Sequence, residues 1–129
     1  MRDPKREKPQ GRTAVLVVED EFFIADDLRR VLVDAGFEVL GPASSVQDAL
    51  DLLEAARPHA AVLDVHLGRE NVTPVARELA KLNVPFVIAT ASPAHELAPF
   101  PILANAVNLG KPTDGSQMID AIRKLVATS

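Results

Sequence analysis

The chain has 129 residues, 47% of them hydrophobic, which suits one domain built on one core. It contains no cysteine, and this excludes disulfides, thiolate zinc sites and cysteine nucleophiles. The net charge of −4 is unevenly placed: Arg2, Lys5, Arg6, Lys8 and Arg12 oppose only Asp3 and Glu7, so the first twelve residues carry +3 and the remainder −7, and an acidic body is a poor surface for nucleic acid.

Residues 1–12, with Pro4, Pro9, Gly11 and no apolar residue after Met1, read as a disordered basic leader, and 13–129 as the folded domain. The start lacks the apolar stretch of a signal peptide, and the longest uncharged stretches, such as Leu97 to Leu109, are too short and proline-rich to span a bilayer. A cytoplasmic location with no membrane contact is the expectation.

From Ala14 the run Ala-Val-Leu-Val-Val, ending in Glu19-Asp20-Glu21, has the pattern of a strand buried on both faces of a parallel sheet. Phe22, Ala25, Leu28, Leu32 and Ala35 follow at helical spacing and stop at Gly36, a residue suited to a left-handed cap. Phe37 to Leu40 predicts a second strand, Gly41-Pro42 a turn, and Ser45-Val-Gln-Asp48 a capped start for a helix carrying Val46, Ala49, Leu50 and Leu53 on one face. Ala60 to Leu63 is a third strand ending at Asp64, and Val72, Val75, Ala76, Leu79 and Leu82 form the next helical stripe. Pro85 to Ala89 is a fourth strand ending at Thr90. Pro93, Pro99 and Pro101 predict a short or irregular fourth helix. Ala104 to Leu109 predicts a fifth strand, and Met118, Ile122 and Leu125 the inward stripe of a last helix. Strands alternating with helices imply right-handed crossovers and a parallel sheet covered on both faces, with the site outside the carboxyl ends of the strands.

The polar residues at those ends are Glu19, Asp20, Glu21, Asp64, Thr90 and Lys111. Taken singly, each has an ordinary explanation as a helix-start charge, a turn residue or a solvated loop charge. Together, several carboxylates near one point repel unless a cation offsets them, so the cluster predicts a divalent metal. Hard oxygen ligands suit Mg²⁺ better than zinc, and Lys111 with the Thr90 hydroxyl supplies what phosphoryl oxygens need.

Val-Leu-Val-Val-Glu19-Asp20-Glu21, Val-Leu-Asp64-Val, Ala-Thr90-Ala91 and Gly110-Lys111-Pro112 resemble, in order, the motifs of bacterial response-regulator receiver domains. The resemblance covers nearly the whole chain after Arg12. It implies a flavodoxin-like doubly wound five-stranded parallel sheet of order 2-1-3-4-5, and a phosphoryl group accepted on Asp64. It further implies Mg²⁺ contacted by Asp20 and Asp64, by Glu19 through water, and by the main-chain carbonyl of His66. Thr90 would be the switch hydroxyl and Lys111 the phosphate-binding ammonium. The implied donor is a sensor histidine kinase or a histidine phosphotransfer protein, and the chain is an acceptor that assists its own phosphotransfer and dephosphorylation rather than an enzyme.

Two departures stand out. Most receivers carry an aromatic residue three positions before the lysine, where this chain has Asn108, and the chain has no tyrosine or tryptophan. Pro85-Phe86-Val-Ile-Ala-Thr90 resembles a branch of receivers, frequent in alphaproteobacteria, with a Pro-Phe-x-x-Ala-Thr motif and an atypical fourth helix. A stand-alone receiver is expected, with output through an unidentified protein or by onward phosphotransfer; a homodimer is compatible with this. Two alternatives stay open: a receiver-like docking module that is not phosphorylated, and a flavodoxin-like nucleotide binder. The second is disfavoured because Glu19-Asp20-Glu21 stands where such a site needs a Gly- or Ser/Thr-rich loop.

Overall fold

A computed structural model describes residues 12–127. The expected leader therefore lies outside the described residues apart from Arg12. Twelve elements follow one another: β1 (Ala14–Val18), α1 (Phe22–Asp34), β2 (Glu38–Ala43), α2 (Val46–Ala55), β3 (Ala60–Leu63), β4 (His66–Leu67), β5 (Glu70–Asn71), α3 (Thr73–Lys81), β6 (Phe86–Ile88), α4 (Ala94–Leu97), α5 (Pro101–Ala104) and α6 (Gly115–Ala127). None of the helices is long and apolar enough to cross a membrane among the described residues.

Four strands form a parallel sheet in the order β2-β1-β3-β6. β1 lies inside it and all five of its residues are buried, which explains its unbroken apolar run. Alternate residues serve opposite faces. Leu16 and Val18 join Ala61, Leu63, Ala49, Leu79 and Leu103 on one side, while Val15 and Val17 join Val62, Leu28, Leu32, Met118 and Ile122 on the other. Helices thus cover both faces, and the expected doubly wound architecture is met.

The local signals behave largely as expected. Gly36 takes φ +96° after α1. Ser45 caps α2, its hydroxyl accepting from the Asp48 N–H at 3.0 Å. The three prolines leave only two four-residue helices, α4 and α5, between β6 and the fifth-strand position.

Three segments differ from expectation. Gly41-Pro42 is not a turn but part of β2, with a register irregularity against β1 and a cis bond before Pro42. β2 is an edge strand, where a proline without an N–H costs no ladder bond. Gly41 is required there: at φ +92° an added Cβ would lie 2.6 Å from the Ala43 nitrogen and 3.0 Å from the Val17 oxygen. The fifth strand contracts to one parallel bridge, Ile88 with Asn108. Its expected first residue, Ala104, is instead the end of α5, and Asn105 caps that helix. Between Asp64 and α3 an unexpected antiparallel hairpin forms from β4 and β5.

Candidate functional site

The polar residues of the strand ends converge on one rim. Two backbone bonds anchor the acidic pair across the sheet: the Asp64 N–H donates to Val18 O at 2.8 Å, and the Glu19 N–H donates to Ala43 O at 2.9 Å. Both side chains are buried. Asp20, one residue on, is exposed, and its Oδ2 accepts from the Gly68 N–H in the β4–β5 hairpin at 2.9 Å. Oxygens of Glu19, Asp20 and Asp64 all lie within 4.8 Å of one another.

Lys111 closes this cluster. Its Nζ stands 3.0 Å from Glu19 Oε1 and 3.2 Å from Asp64 Oδ2. Burial pushes the Glu19 carboxyl above its ordinary range, with the Asp64 charge adding to the rise, while the Glu21 N–H and Lys111 pull it down. For Lys111, burial lowers the ammonium's affinity for its proton, but Glu19 and Asp64 outweigh that and raise it overall. The lysine stays charged.

One ammonium does not balance three carboxylates. Glu19 Oε1 is buried and has the Lys111 ammonium at 3.0 Å, but Asp64 draws on that same ammonium. Hard oxygen donors within 4.8 Å of one another and surplus negative charge fit a small divalent cation such as Mg²⁺. An acidic pocket of this kind is what the resemblance to receiver domains implied for Mg²⁺.

Thr90 is buried at the end of the β6 extension. Its Oγ1 accepts from the Ser92 N–H at 3.0 Å, so the hydroxyl proton is left to donate elsewhere. His66 is exposed, and its ring pairs through Nε2 with Ser92 Oγ at 3.0 Å. The cleft walled by Asp20, Asp64, His66, Thr90, Ser92 and Lys111 has a volume of about 280 Å³.

Of the strand-end residues, Asp20, Glu21, Asp64, Thr90 and Lys111 line one cleft and Glu19 lies against Lys111 and within reach of Asp20 and Asp64; His66 borders the same cleft. Sequence reading missed Ser92, which contacts both His66 and Thr90, and the three bonds made by Asn108. Asn108 Oδ1 accepts from the Thr90 and Gly110 N–H groups at 3.2 and 2.9 Å, and its Nδ2 donates to Thr90 O at 3.3 Å. A side chain with both a donor and an acceptor at a strand end was the signal available for the latter.

The model of the response regulator receiver domain family matches residues 15–123. The transcriptional regulatory protein PdtaR of Mycobacterium tuberculosis is 34% identical over 115 residues, covering 88% of this chain and 56% of that protein. The sensory transduction protein LytT of Bacillus cereus is 34% identical over 113 residues, covering 85% of this chain and 46% of its own length. The chain thus spans about half the length of these curated relatives. Among solved structures, the signal receiver domain of a modulated diguanylate cyclase from Desulfovibrio desulfuricans superposes with a TM-score of 0.81 at 28% identity, covering 91% of this chain and 95% of that one. With the family model spanning nearly the whole described domain, the chain belongs to the response regulator receiver domain family.

Proposed function

We propose that Asp64 is the phosphoacceptor of a two-component or phosphorelay system and takes its phosphoryl group from a phosphohistidine. The observation that carries this reading is the Lys111 ammonium 3.2 Å from Asp64 Oδ2, inside a carboxylate cluster that opens to solvent through Asp20 and His66. An Asp64 oxygen attacks phosphorus in line, the bond from phosphorus to the donor imidazole breaks, and neutral histidine leaves after taking a proton. Lys111 offsets charge on the phosphoryl oxygens, and the Thr90 hydroxyl donates to one of them. Asp20 and Asp64, with Glu19 through water and the His66 main-chain carbonyl, would hold Mg²⁺, which when bound supplies further positive charge to the transferring group. Water attack on the acyl phosphate restores Asp64.

The donor is a sensor histidine kinase or a histidine phosphotransfer protein in the cytoplasm, and output is by protein–protein interaction or onward phosphotransfer. A docking face for the donor lies beside the cleft. Phe22 and Phe23 are 72% and 84% exposed at the start of α1, an unusual exposure for two adjacent aromatic side chains. Next to them a groove of about 630 Å³ runs past Ile24 and Arg30 to Lys111 and Pro112.

The test incubates wild type and Asp64→Asn with Mg²⁺ and acetyl phosphate, then with phosphorylated kinase, and reads intact mass. Wild type should gain one phosphoryl group and Asp64→Asn none. Phe23→Asp should slow transfer from the kinase and leave acetyl phosphate unaffected. No gain by wild type from either donor overturns the phosphoacceptor reading in favour of a docking module.

A further inference from the structure

We infer that Asn108 is a positioning residue for phosphoryl transfer, whose side-chain amide ties the Thr90 backbone to Gly110 and thereby fixes the spacing of the Thr90 hydroxyl and the Lys111 ammonium. The inference rests on the reading of Asp64 as phosphoacceptor and assigns the machinery around it one more part.

The argument starts from the sheet ladder. Beyond β6 the fifth segment makes two main-chain bonds, from the Ile88 N–H to Val107 O at 2.9 Å and from the Leu109 N–H to Ile88 O at 2.8 Å. Ala89 faces the opposite way, its N–H donating to Leu63 O at 2.9 Å. The next pair of groups facing the fifth segment belongs to Thr90, because strand residues alternate with period two. No strand is there to meet them, since the chain turns at Gly110, whose φ of +81° favours glycine.

Asn108 supplies the missing rung with its side chain. Nδ2 donates to Thr90 O at 3.3 Å while Oδ1 accepts from the Thr90 N–H at 3.2 Å, which imitates a peptide group in the ladder. The same oxygen accepts from the Gly110 N–H at 2.9 Å, one residue before Lys111. All three bonds thus end on the two backbone segments that present Thr90 and Lys111. Asn108 itself is exposed and packs in neither core cluster, so these bonds rather than burial define what it does. The requirement is narrow. Leucine offers no polar group, aspartate keeps both acceptor bonds but cannot donate to Thr90 O, and glutamine sets its amide one methylene further out.

The test measures the rate constant for phosphorylation at saturating acetyl phosphate and Mg²⁺, together with the Kd for Mg²⁺. Asn108→Leu should lower the rate constant about tenfold, in line with the cost of displacing groups around a reacting atom, and leave the Kd unchanged. Asn108→Asp should fall between Asn108→Leu and wild type. In Thr90→Ala, adding Asn108→Leu should cost less than it does in wild type, because part of the Asn108 effect acts through the hydroxyl already removed. A bystander that only stabilised the fold would lower Tm and leave the rate of the folded fraction intact. The proposal is overturned if Asn108→Leu phosphorylates like wild type, or if the Thr90 and Asn108 losses multiply in full. Amide exchange separates this from failure of the phosphoacceptor reading. The Thr90 and Gly110 amides should exchange slowly in wild type and faster in Asn108→Leu, and unchanged exchange overturns the brace whatever happens at Asp64. Should Asn108→Leu fail to fold, Asn108→Asp carries the same comparisons.

Discussion

Among the described residues, Lys111 is the positive charge paired with the carboxylate cluster, so replacing it by methionine should expose the repulsion it offsets. Its Nζ lies 3.0 and 3.2 Å from Glu19 and Asp64 oxygens. At an effective dielectric constant of about 20, each attraction is worth about 5 kcal/mol before the cost of desolvating the charges. That cost is substantial, since the side chains of Lys111, Glu19 and Asp64 are 20%, 1% and 7% exposed. Breaking one partner out of a buried pair typically costs about 3–5 kcal/mol, and the residual exposure of Lys111 argues for the lower figure. In EDTA, Lys111→Met should therefore lose about 3 kcal/mol, or roughly 12 °C in Tm for a domain of this size.

Mg²⁺ should recover most of that loss by offsetting the same carboxylates. With the residual cost near 1 kcal/mol at saturating Mg²⁺, linkage requires the variant to bind Mg²⁺ about 30-fold more tightly than wild type. Unfolding followed by circular dichroism, in EDTA and in Mg²⁺, gives the first pair of numbers without needing a tryptophan, and calorimetry gives the affinity. A loss below about 1 kcal/mol in EDTA, or one that Mg²⁺ leaves unchanged, would refute the view of Lys111 as the charge that holds the metal-free cluster together.

Two further predictions concern the frame around the site. Gly41→Ala combines a left-handed φ of +92° with a Cβ 2.6 Å from the Ala43 nitrogen, and should cost about 3 kcal/mol, seen as a lower urea midpoint at unchanged slope. A midpoint equal to wild type would mean that β2 relaxes around the methyl group. Asp114, ahead of α6, accepts from the Gln117 N–H at 3.0 Å and the Ser116 hydroxyl at 2.8 Å, and these bonds hold its carboxyl below the ordinary 3.8. A depressed carboxylate contributes stability above its unfolded-state pKa and loses it as pH falls through the folded one. Asp114→Ala should accordingly lower Tm at neutral pH, with the gap to wild type closing as pH drops below 3.8. A gap that stays constant through that range rejects the cap.

What could be read from the sequence was whatever follows from one residue's neighbours along the chain. The unbroken apolar run of β1 announces burial on both faces, and the site follows because Glu19, Asp64 and Thr90 each sit just past such a run, while Lys111 follows the weaker fifth segment. Ser45 and Asp48 are three residues apart, so their cap is local and readable too. Gly41-Pro42 misleads because proline's meaning depends on whether a strand lies at an edge, and only the assembled order β2-β1-β3-β6 says that it does. The β4–β5 hairpin has two residues per strand, too few to show a period, yet its Gly68 N–H is what holds Asp20.

Asn108 is the sharpest case. By resemblance it is only the absence of an aromatic ring, and by propensity it is a poor strand residue in a weak fifth strand. Its use depends on Thr90, eighteen positions earlier, leaving a main-chain N–H and C=O without a strand beside them. The contracted fifth strand and the asparagine are therefore one feature: where the backbone ladder stops after Ile88, a side chain continues it for one rung, at the rung that carries the Thr90 hydroxyl. The chain turns at Gly110 directly after this rung, at φ +81°, and Lys111 one residue on reaches Asp64 Oδ2 at 3.2 Å.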